Sequence, residues 1–502
     1  MLKGSLGAAI LTAFASLRPA LAAPAATGSS LLGFNAIPVS GDDAVRVPPG
    51  YRATVLWRWG DPIGSPEGQP AFRADASNSA DEQMLQAGMH HGTADKVRKS
   101  QAAHGVSVIE IRQETGTWRV VSPSRHARRI TAFTPIAISG PAAGDDALKT
   151  SADPSGREVL GTFNNCAHGV TPWGTYLTCE ENFNLYFNGG RTITPEMGRY
   201  GLVKRQGLRW HEHDARFDCE KEPNEPNRFG WVVEFDPWNP ASKPVKRTAL
   251  GRFKHEGAAL AVAPDGRVVY YMGDDEVFEY IYKFVSAQPW HPKDRAANRD
   301  LLDTGTLYVA RFGDDGTGTW LPLVHGQSGL TAGNGFASQA DVLLHARSAA
   351  DRVGATPMDR PEWIAVDDRR KEVYCTLTNN ARRGDTGNRA PDAANPRKEN
   401  TFGHIVRWRE AGDDPTATHF EWNIFLLAGD PAHADPAKRG NIKGDAFGSP
   451  DGLWGDPRGV LWIETDVTTK TLKQGDYANL GNNQLLAADP ATGEVRRFLT
   501  GP

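Results

Sequence analysis

The chain has 502 residues, 39% hydrophobic and 23% charged, enough to bury a large core in one big domain or two ordinary ones. A formal net charge of -4 and an isoelectric point near 6.4 exclude the basic surface that phosphate-backbone binding needs, so nucleic acid is not expected as a partner. The four cysteines (Cys166, Cys179, Cys219 and Cys375) are too few to staple a chain of this length and need individual explanations.

Residues 1–23 (MLKGSLGAAILTAFASLRPALAA) carry one Lys, an apolar stretch from Leu6 to Leu17 and the cleavage pattern Ala20-Leu21-Ala22. They read as an export signal, so the mature chain is expected to be periplasmic or secreted. A membrane anchor or a first helix of the fold is the alternative, but the apolar run is too short to span and ends in small residues. No other stretch approaches the roughly 18 apolar residues of a membrane-crossing helix, so no stable membrane span is expected. The start Leu2-Lys3 is similar to the end of a twin-arginine signal whose arginine pair does not stand in this sequence.

Beyond the signal, residues 24–502 read as one domain. Fifty-three glycines and 34 prolines punctuate short alternating segments rich in Val, Tyr, Trp and Thr, such as Val106–Arg112, Arg267–Met272, Glu372–Leu377 and Val460–Glu464. This pattern indicates an all-β fold; the best helical candidate, Ala94–Ala103, is short and polar. Four segments share one plan, in which an acid or Cys opens a strand, a turn sits midway and a polar residue closes the next strand. They are Cys166–Glu181 around Pro172-Trp173-Gly174, Glu256–Asp274 around Pro264-Asp265-Gly266, Glu362–Asn379 around Asp368-Arg369-Arg370, and Asp451–Asp466 around Asp456-Pro457-Arg458-Gly459. A hairpin returns both ends of each pair to one rim, and repeated hairpins in a chain too long for one sandwich suggest the radial blades of a β-propeller. Residues 188–227 are a polar insertion expected to lie over one face, and 379–401 a second long polar loop.

The carboxylates and the Cys at matching hairpin ends form a candidate cluster for multivalent cations. Carboxylates suit calcium, whereas a thiolate points to a transition metal such as iron or zinc, so a mixed site follows. Taken singly, acids at strand ends are solvated turn residues, and Cys166 and Cys179 are alternatively a cross-strand disulfide. Arg360 stands two residues before Glu362, on the same side of a strand, where a guanidinium suits bidentate contact with phosphate; the alternative is a salt bridge with Asp359 or a neighbouring blade. No nucleophile elbow, Walker loop or dinucleotide fingerprint competes.

The segment Asn164–Phe187, NNCAHGVTPWGTYLTCEENFNLYF, closely resembles the signature of the PhoX alkaline phosphatases. Similarity continues through Gly230–Glu234, KRTALGRFKHEGAA at 246–259, MDRPEW at 358–363 and SPDGLW at 449–454. The resemblance implies a propeller of six blades that hydrolyses phosphate monoesters with iron and calcium, as a monomer scavenging phosphate. It makes Cys166 and Glu181 iron ligands, Glu256 and Glu362 metal ligands, Asp274 and Asp451 calcium positions, and Arg360 the substrate-phosphate and catalytic group. Two departures from the family stand out: a missing piece at Gly92, and a C-terminal stop at Pro502 where a further closing blade is expected, which would leave the ring incomplete. A calcium-dependent lactonase or esterase propeller, or a non-catalytic metal-stabilised binding propeller, are the rival readings; a calcium-only lactonase has no use for the Cys166 thiolate.

Overall fold

A computed structural model describes residues 31–58, 61, 63–64, 93–205 and 208–502. The export signal at 1–23 and the expected discontinuity at Gly92 lie outside the described residues. The expected helix forms over Ala94–Ala103, started by Thr93, whose hydroxyl accepts from Lys96 N. Beyond it the regular structure is mainly antiparallel strand, with short α-helices at Pro195–Arg199, Gln339–Leu344 and Ala346–Val353.

Strands β1 (Val106–Val108) and β4 (Arg128–Ile130) pair with each other, as do β2 (Ile111–Glu114) and β3 (Thr117–Val120). The next sheet contains β5 (Pro135–Ser139), β6 (Glu158–Leu160), β7 (Asn165–Val170), β8 (Tyr176–Glu180), β9 (Val232–Phe235) and β10 (Val245–Arg247), in the order β6-β5-β10-β9-β8-β7. Two further blades follow. One runs β11 (Ala259–Val262), β12 (Arg267–Gly273), β13 (Ile281–Pro289), β14 (Gly305–Phe312), β15 (Thr317–Pro322), and the other β16 (Pro361–Asp367), β17 (Glu372–Leu377), β18 (His404–Glu410), β19 (His419–Leu427). Antiparallel pairing of β15 with β19 fuses them into one nine-stranded sheet. The last sheet holds β20 (Lys443–Gly444), β21 (Pro450–Gly455), β22 (Leu461–Thr465), β23 (Gln484–Ala488) and β24 (Glu494–Thr500).

The expected hairpins are β7–β8, β11–β12, β16–β17 and β21–β22. Their turns fall where the sequence places them, with left-handed backbone at Gly174, Gly266, Lys371 and Gly459. Each hairpin forms the inner edge of a blade, and β7, β11, β16 and β21 stand side by side around an axis. This is a propeller arrangement, with four such inner hairpins among the described residues. Approach at the axis is close: a Cβ on Gly273 would lie 2.3 Å from Glu362 O, and one on Gly169 2.2 Å from Ala258 O.

Because each inner strand pair is covered by a blade on both sides, β12 (RVVYYMG) is buried throughout except at its first residue, not on alternate residues. The core therefore lies between blades. Leu177, Val232, Tyr270, Tyr282 and Phe284 fill one gap, Tyr271, Trp320, Val406 and Trp408 the next, and Tyr374, Ile405, Leu453 and Ile463 the third. Each such side chain contributes about 2–3 kcal/mol. The polar insertion 188–227 folds over one end on its own aromatic centre, where Tyr200, Trp210 and Phe217 pack with Phe163, Phe187 and Phe229. In each blade the inner hairpin turn points away from this end, so loops 181–231, 274–280, 378–403 and 466–483 all emerge on the same face as the cluster.

The last strand is paired on both sides, with β23 antiparallel and β20 parallel, and Arg46 bridges to Thr500. The edge expected to stand open near the C-terminus is thus covered by the start of the chain.

Candidate active site

One backbone pattern, repeated in all four inner hairpins, places the site. The amide N–H groups of Glu181, Asp275, Thr378 and Asp466 donate to the carbonyls of Asn164, Lys254, Arg360 and Ser449, at 3.0–3.2 Å. Two residues after each acceptor stand Cys166, Glu256, Glu362 and Asp451. Asn164, Arg360 and Ser449 adopt left-handed backbone, with φ of 50°, 59° and 51°, and the pairing register slips just after each, between Asn165 and His168, Pro361 and Ile364, and Pro450 and Leu453. These are β-bulges that re-aim one side chain per blade. Cys166, Glu362 and Asp451 are the residues so turned toward the axis.

The donor atoms of Cys166, Glu181 and Glu256 lie within 4.8 Å of one another, and so do those of Glu256, Glu362 and Asp451. Glu256 belongs to both groups, so five of the six expected metal residues form one continuous cluster. Cys166 donates to Glu256 Oε1 at 2.9 Å. All four cysteines are free, which removes the disulfide alternative.

Asp274 stands apart. Both of its oxygens are taken by Arg347, with Nε on Oδ2 at 2.8 Å, in a pair that is inaccessible to solvent. Its neighbour Asp275 faces the cluster instead, and Oδ2 accepts from Arg360 Nη2 at 2.8 Å. The aligned hairpin bonds put Asp275, not Asp274, opposite Glu181 and Asp466, and Thr378, not Asn379, in the remaining place. Asn379 turns to Ser449 Oγ at 3.4 Å. A pattern of equal spacings cannot make these one-residue distinctions, because bulges lengthen one strand and not its partner.

Arg360 pairs across to the neighbouring blade, as one alternative held, rather than with Asp359. The same Nη2 lies 2.9 Å from Glu362 Oε1, close enough for an ion pair although no hydrogen bond is aimed at that oxygen. Among the described residues only Nη2 of Arg360 is engaged, and 30% of its side chain stays open, so the rest of the fork faces the channel. Asp359 is fixed by Arg383 Nε (2.6 Å), Asn380 Nδ2 (2.9 Å) and Asn400 Nδ2 (3.0 Å). The loop 379–401 thereby anchors the base of Arg360.

Electrostatically the cluster is overloaded with acid. At 4.8 Å two carboxylates repel by about 3 kcal/mol at an effective dielectric near 20. Burial first, then neighbouring acids, push Glu181, Glu362 and Asp451 well above the ordinary carboxylate range and Glu256 up to about 7. Burial, then Glu256, Glu181 and Asp451, push the Cys166 thiol up as well. Cys166 is reachable by solvent yet packed beside Glu256, Glu181 and Asp451, so access and desolvation coexist. Burial is the largest influence on Asp275 and works to raise it, but Arg360, with Glu362 and Lys254, together hold this carboxyl below its usual value. Asp275 Oδ1 and Glu362 Oε1 are buried without a donor. A thiol, crowded carboxylates and donorless oxygens suit bound cations, and the donor types suit a transition metal beside a harder ion.

The sequence profile described as "Alkaline phosphatase PhoX" matches residues 32–94 and 80–502. The chain belongs to the PhoX alkaline phosphatase family. It is accordingly a phosphoric monoester hydrolase, and the lactonase and binding-protein readings fall away. PhoX of Pseudomonas fluorescens, solved in complex with vanadate as a transition state analogue, is 48% identical, superposes with a TM-score of 0.88, and is matched over 94% of this chain and 90% of its own. A gluconolactonase of Xanthomonas campestris aligns over 80% of this chain and 89% of its own with 10% identity and a TM-score of 0.24, too little to compare architectures. Among curated proteins nothing matches the chain. The two profile stretches overlap at 80–94, around the expected discontinuity at Gly92.

Proposed function

We propose that this PhoX-family alkaline phosphatase acts outside the cytoplasm on small phosphate monoesters, as a monomer, with iron and calcium held by the channel cluster. The observation that carries this reading is the convergence of Cys166, Glu181, Glu256, Glu362 and Asp451 around one channel beside Arg360. Cys166, Glu181 and Glu256 would hold iron, and Glu256, Glu362 and Asp451 calcium, with Asp275 taking the role the sequence assigned to Asp274. When bound, the cations supply positive charge against the phosphoryl oxygens and promote ionisation of the attacking group.

The chain's own residues do the rest. Arg360 presents a fixed cation to the phosphoryl oxygens, and Asp275 and Glu362 hold its Nη2 so that the free edge of the fork faces the ester. The anchored Asp359 fixes its backbone. The signal read at 1–23 supports export, and a phosphatase outside the cytoplasm suits phosphate scavenging.

The test is hydrolysis of p-nitrophenyl phosphate at alkaline pH by the purified chain, with iron and calcium measured on the same sample. Turnover in protein carrying both metals, abolished in Cys166→Ala, is expected. Folded protein that binds both metals and releases no p-nitrophenol would refute the reading.

A further inference from the structure

Three of the four residues that close the inner hairpins are acids facing the cluster: Glu181, Asp275 and Asp466. The fourth, beside Arg360, is Thr378. It is 1% exposed, its N–H donates to Arg360 O at 3.2 Å, and its Oγ1 is buried without any partner. Two residues earlier the Thr376 hydroxyl is already engaged, its one proton shared between Asp451 O at 2.7 Å and Trp363 O at 3.1 Å. A buried hydroxyl left unpaired is unfavourable, and one standing beside Arg360 is satisfied by a ligand that Arg360 also holds.

The chemistry of the four corners supports one kind of ligand. A carboxylate at the Thr378 corner would repel a phosphate dianion held by Arg360, whereas a hydroxyl is neutral and can donate to it. Resting on the reading of Arg360 as the phosphate clamp, we propose that Thr378 Oγ1 is a substrate-binding group of the phosphatase that donates a hydrogen bond to a phosphoryl oxygen of the bound ester. Acids thus occupy the corners that face cations, and a neutral donor occupies the corner that faces the anion. The Thr378 N–H is tied to the Arg360 carbonyl, which holds the two residues side by side.

The experiment compares the metal-loaded parent with Thr378→Val, Thr378→Ser and Arg360→Ala. The readouts are p-nitrophenyl phosphate kinetics, inhibition by inorganic phosphate and by orthovanadate, metal content and Tm. Thr378→Val is expected to lose roughly 100-fold in kcat/KM and to weaken vanadate inhibition at least about tenfold, with metal content unchanged. Its Tm should be no lower than the parent's, since a methyl replaces an unpaired hydroxyl. Thr378→Ser should stay within roughly fivefold of the parent. A Thr378→Val enzyme with parental kinetics and vanadate inhibition, alongside an impaired Arg360→Ala, would overturn the inference and leave the clamp standing. Valine and serine variants that are equally impaired and melt lower would assign Thr378 to packing and overturn it too. Arg360→Ala with unchanged phosphate and vanadate inhibition would instead overturn the clamp itself.

Discussion

Asp274 and Asp275 are neighbours with opposite duties. Asp274 neutralises Arg347, which also reaches Arg199 O at 3.0 Å and so ties the insertion to the blade. Asp275 holds the guanidinium of Arg360. Asp274→Asn therefore leaves a buried guanidinium with only the more distant Glu279, at 3.7 Å, as counter-charge and should cost about 3 kcal/mol of stability, visible as a lower urea midpoint. Asp275→Asn takes from Arg360, part of which is open to solvent, a carboxylate whose ionised form the fold favours, so the urea midpoint of the metal-free protein should fall, but by less than that of Asp274→Asn, while activity falls by about 10–100-fold. If the two variants exchanged these phenotypes, the assignment of Asp275 to the site would be wrong. Cys166 supplies the only sulfur in the cluster. On the proposed assignment, Cys166→Ser should lose iron while the calcium that Glu362 and Asp451 would hold persists, and metal analysis of the purified variant reads both. Residue type and approximate place were legible in the sequence for Cys166, Glu181, Glu256, Glu362 and Asp451. The choice between adjacent aspartates was not, since it depends on backbone pairing that no spacing records.

At the scale of elements, the hairpins were legible because turn residues and strand composition are local signals. The bulges were not, because a register slip changes no residue type: left-handed Arg360 and Ser449 look like any Arg or Ser in a row of letters. Also invisible was the join between the two central blades, where β13 and β18 share a buried polar centre. Glu410 accepts from Tyr271 OH at 2.8 Å, from Trp320 Nε1 at 3.1 Å and from Lys283 Nζ at 3.3 Å. Burial lowers Lys283 from the ordinary lysine value to about 8 despite Glu410. Below pH 8 both folded and unfolded chains hold this proton, and the cost of burying the ammonium is constant. Between pH 8 and the ordinary lysine value the unfolded chain keeps the proton and the folded chain does not, so stability rises with pH, by about 3 kcal/mol in all. Tyr271, whose hydroxyl burial pushes upward, acts oppositely once free tyrosine ionises near pH 10. The urea midpoint should therefore climb from pH 8 to about 10, and the double variant Lys283→Met/Glu410→Leu should flatten that climb. An unchanged slope in the double variant would show that Lys283 is not its source.

For the whole molecule the decisive contact joins the two ends of the described chain. A ring of blades is stable only when its last edge is covered, and here residues 31–51 cover it. Leu32 packs with Val460 and Ala487, Arg496 Nη1 donates to Leu32 O at 2.6 Å and Phe34 O at 2.8 Å, and Phe34 meets Trp462, Phe498 and Tyr51 at ring-centroid distances of 6.4, 5.1 and 6.4 Å. Sequence reading could not find this closure, because it is carried by side chains more than 400 positions apart and by a segment with no strand pattern of its own. The two ends hold the blade that supplies Asp451, so closure bears on the site as well as on the fold. Phe34→Ala removes a half-buried ring from this seam and should cost about 2 kcal/mol. The loss should fall mainly on the last blade: amides of β23 and β24 should exchange faster, while those of β12 and β13 keep the parental rate. On the proposed assignment, calcium should then dissociate before iron on warming, since Asp451 rides on the loosened blade and Cys166 does not. Uniformly faster exchange in every blade would mean that the ring opens as one cooperative unit, and that the ends act on global stability alone.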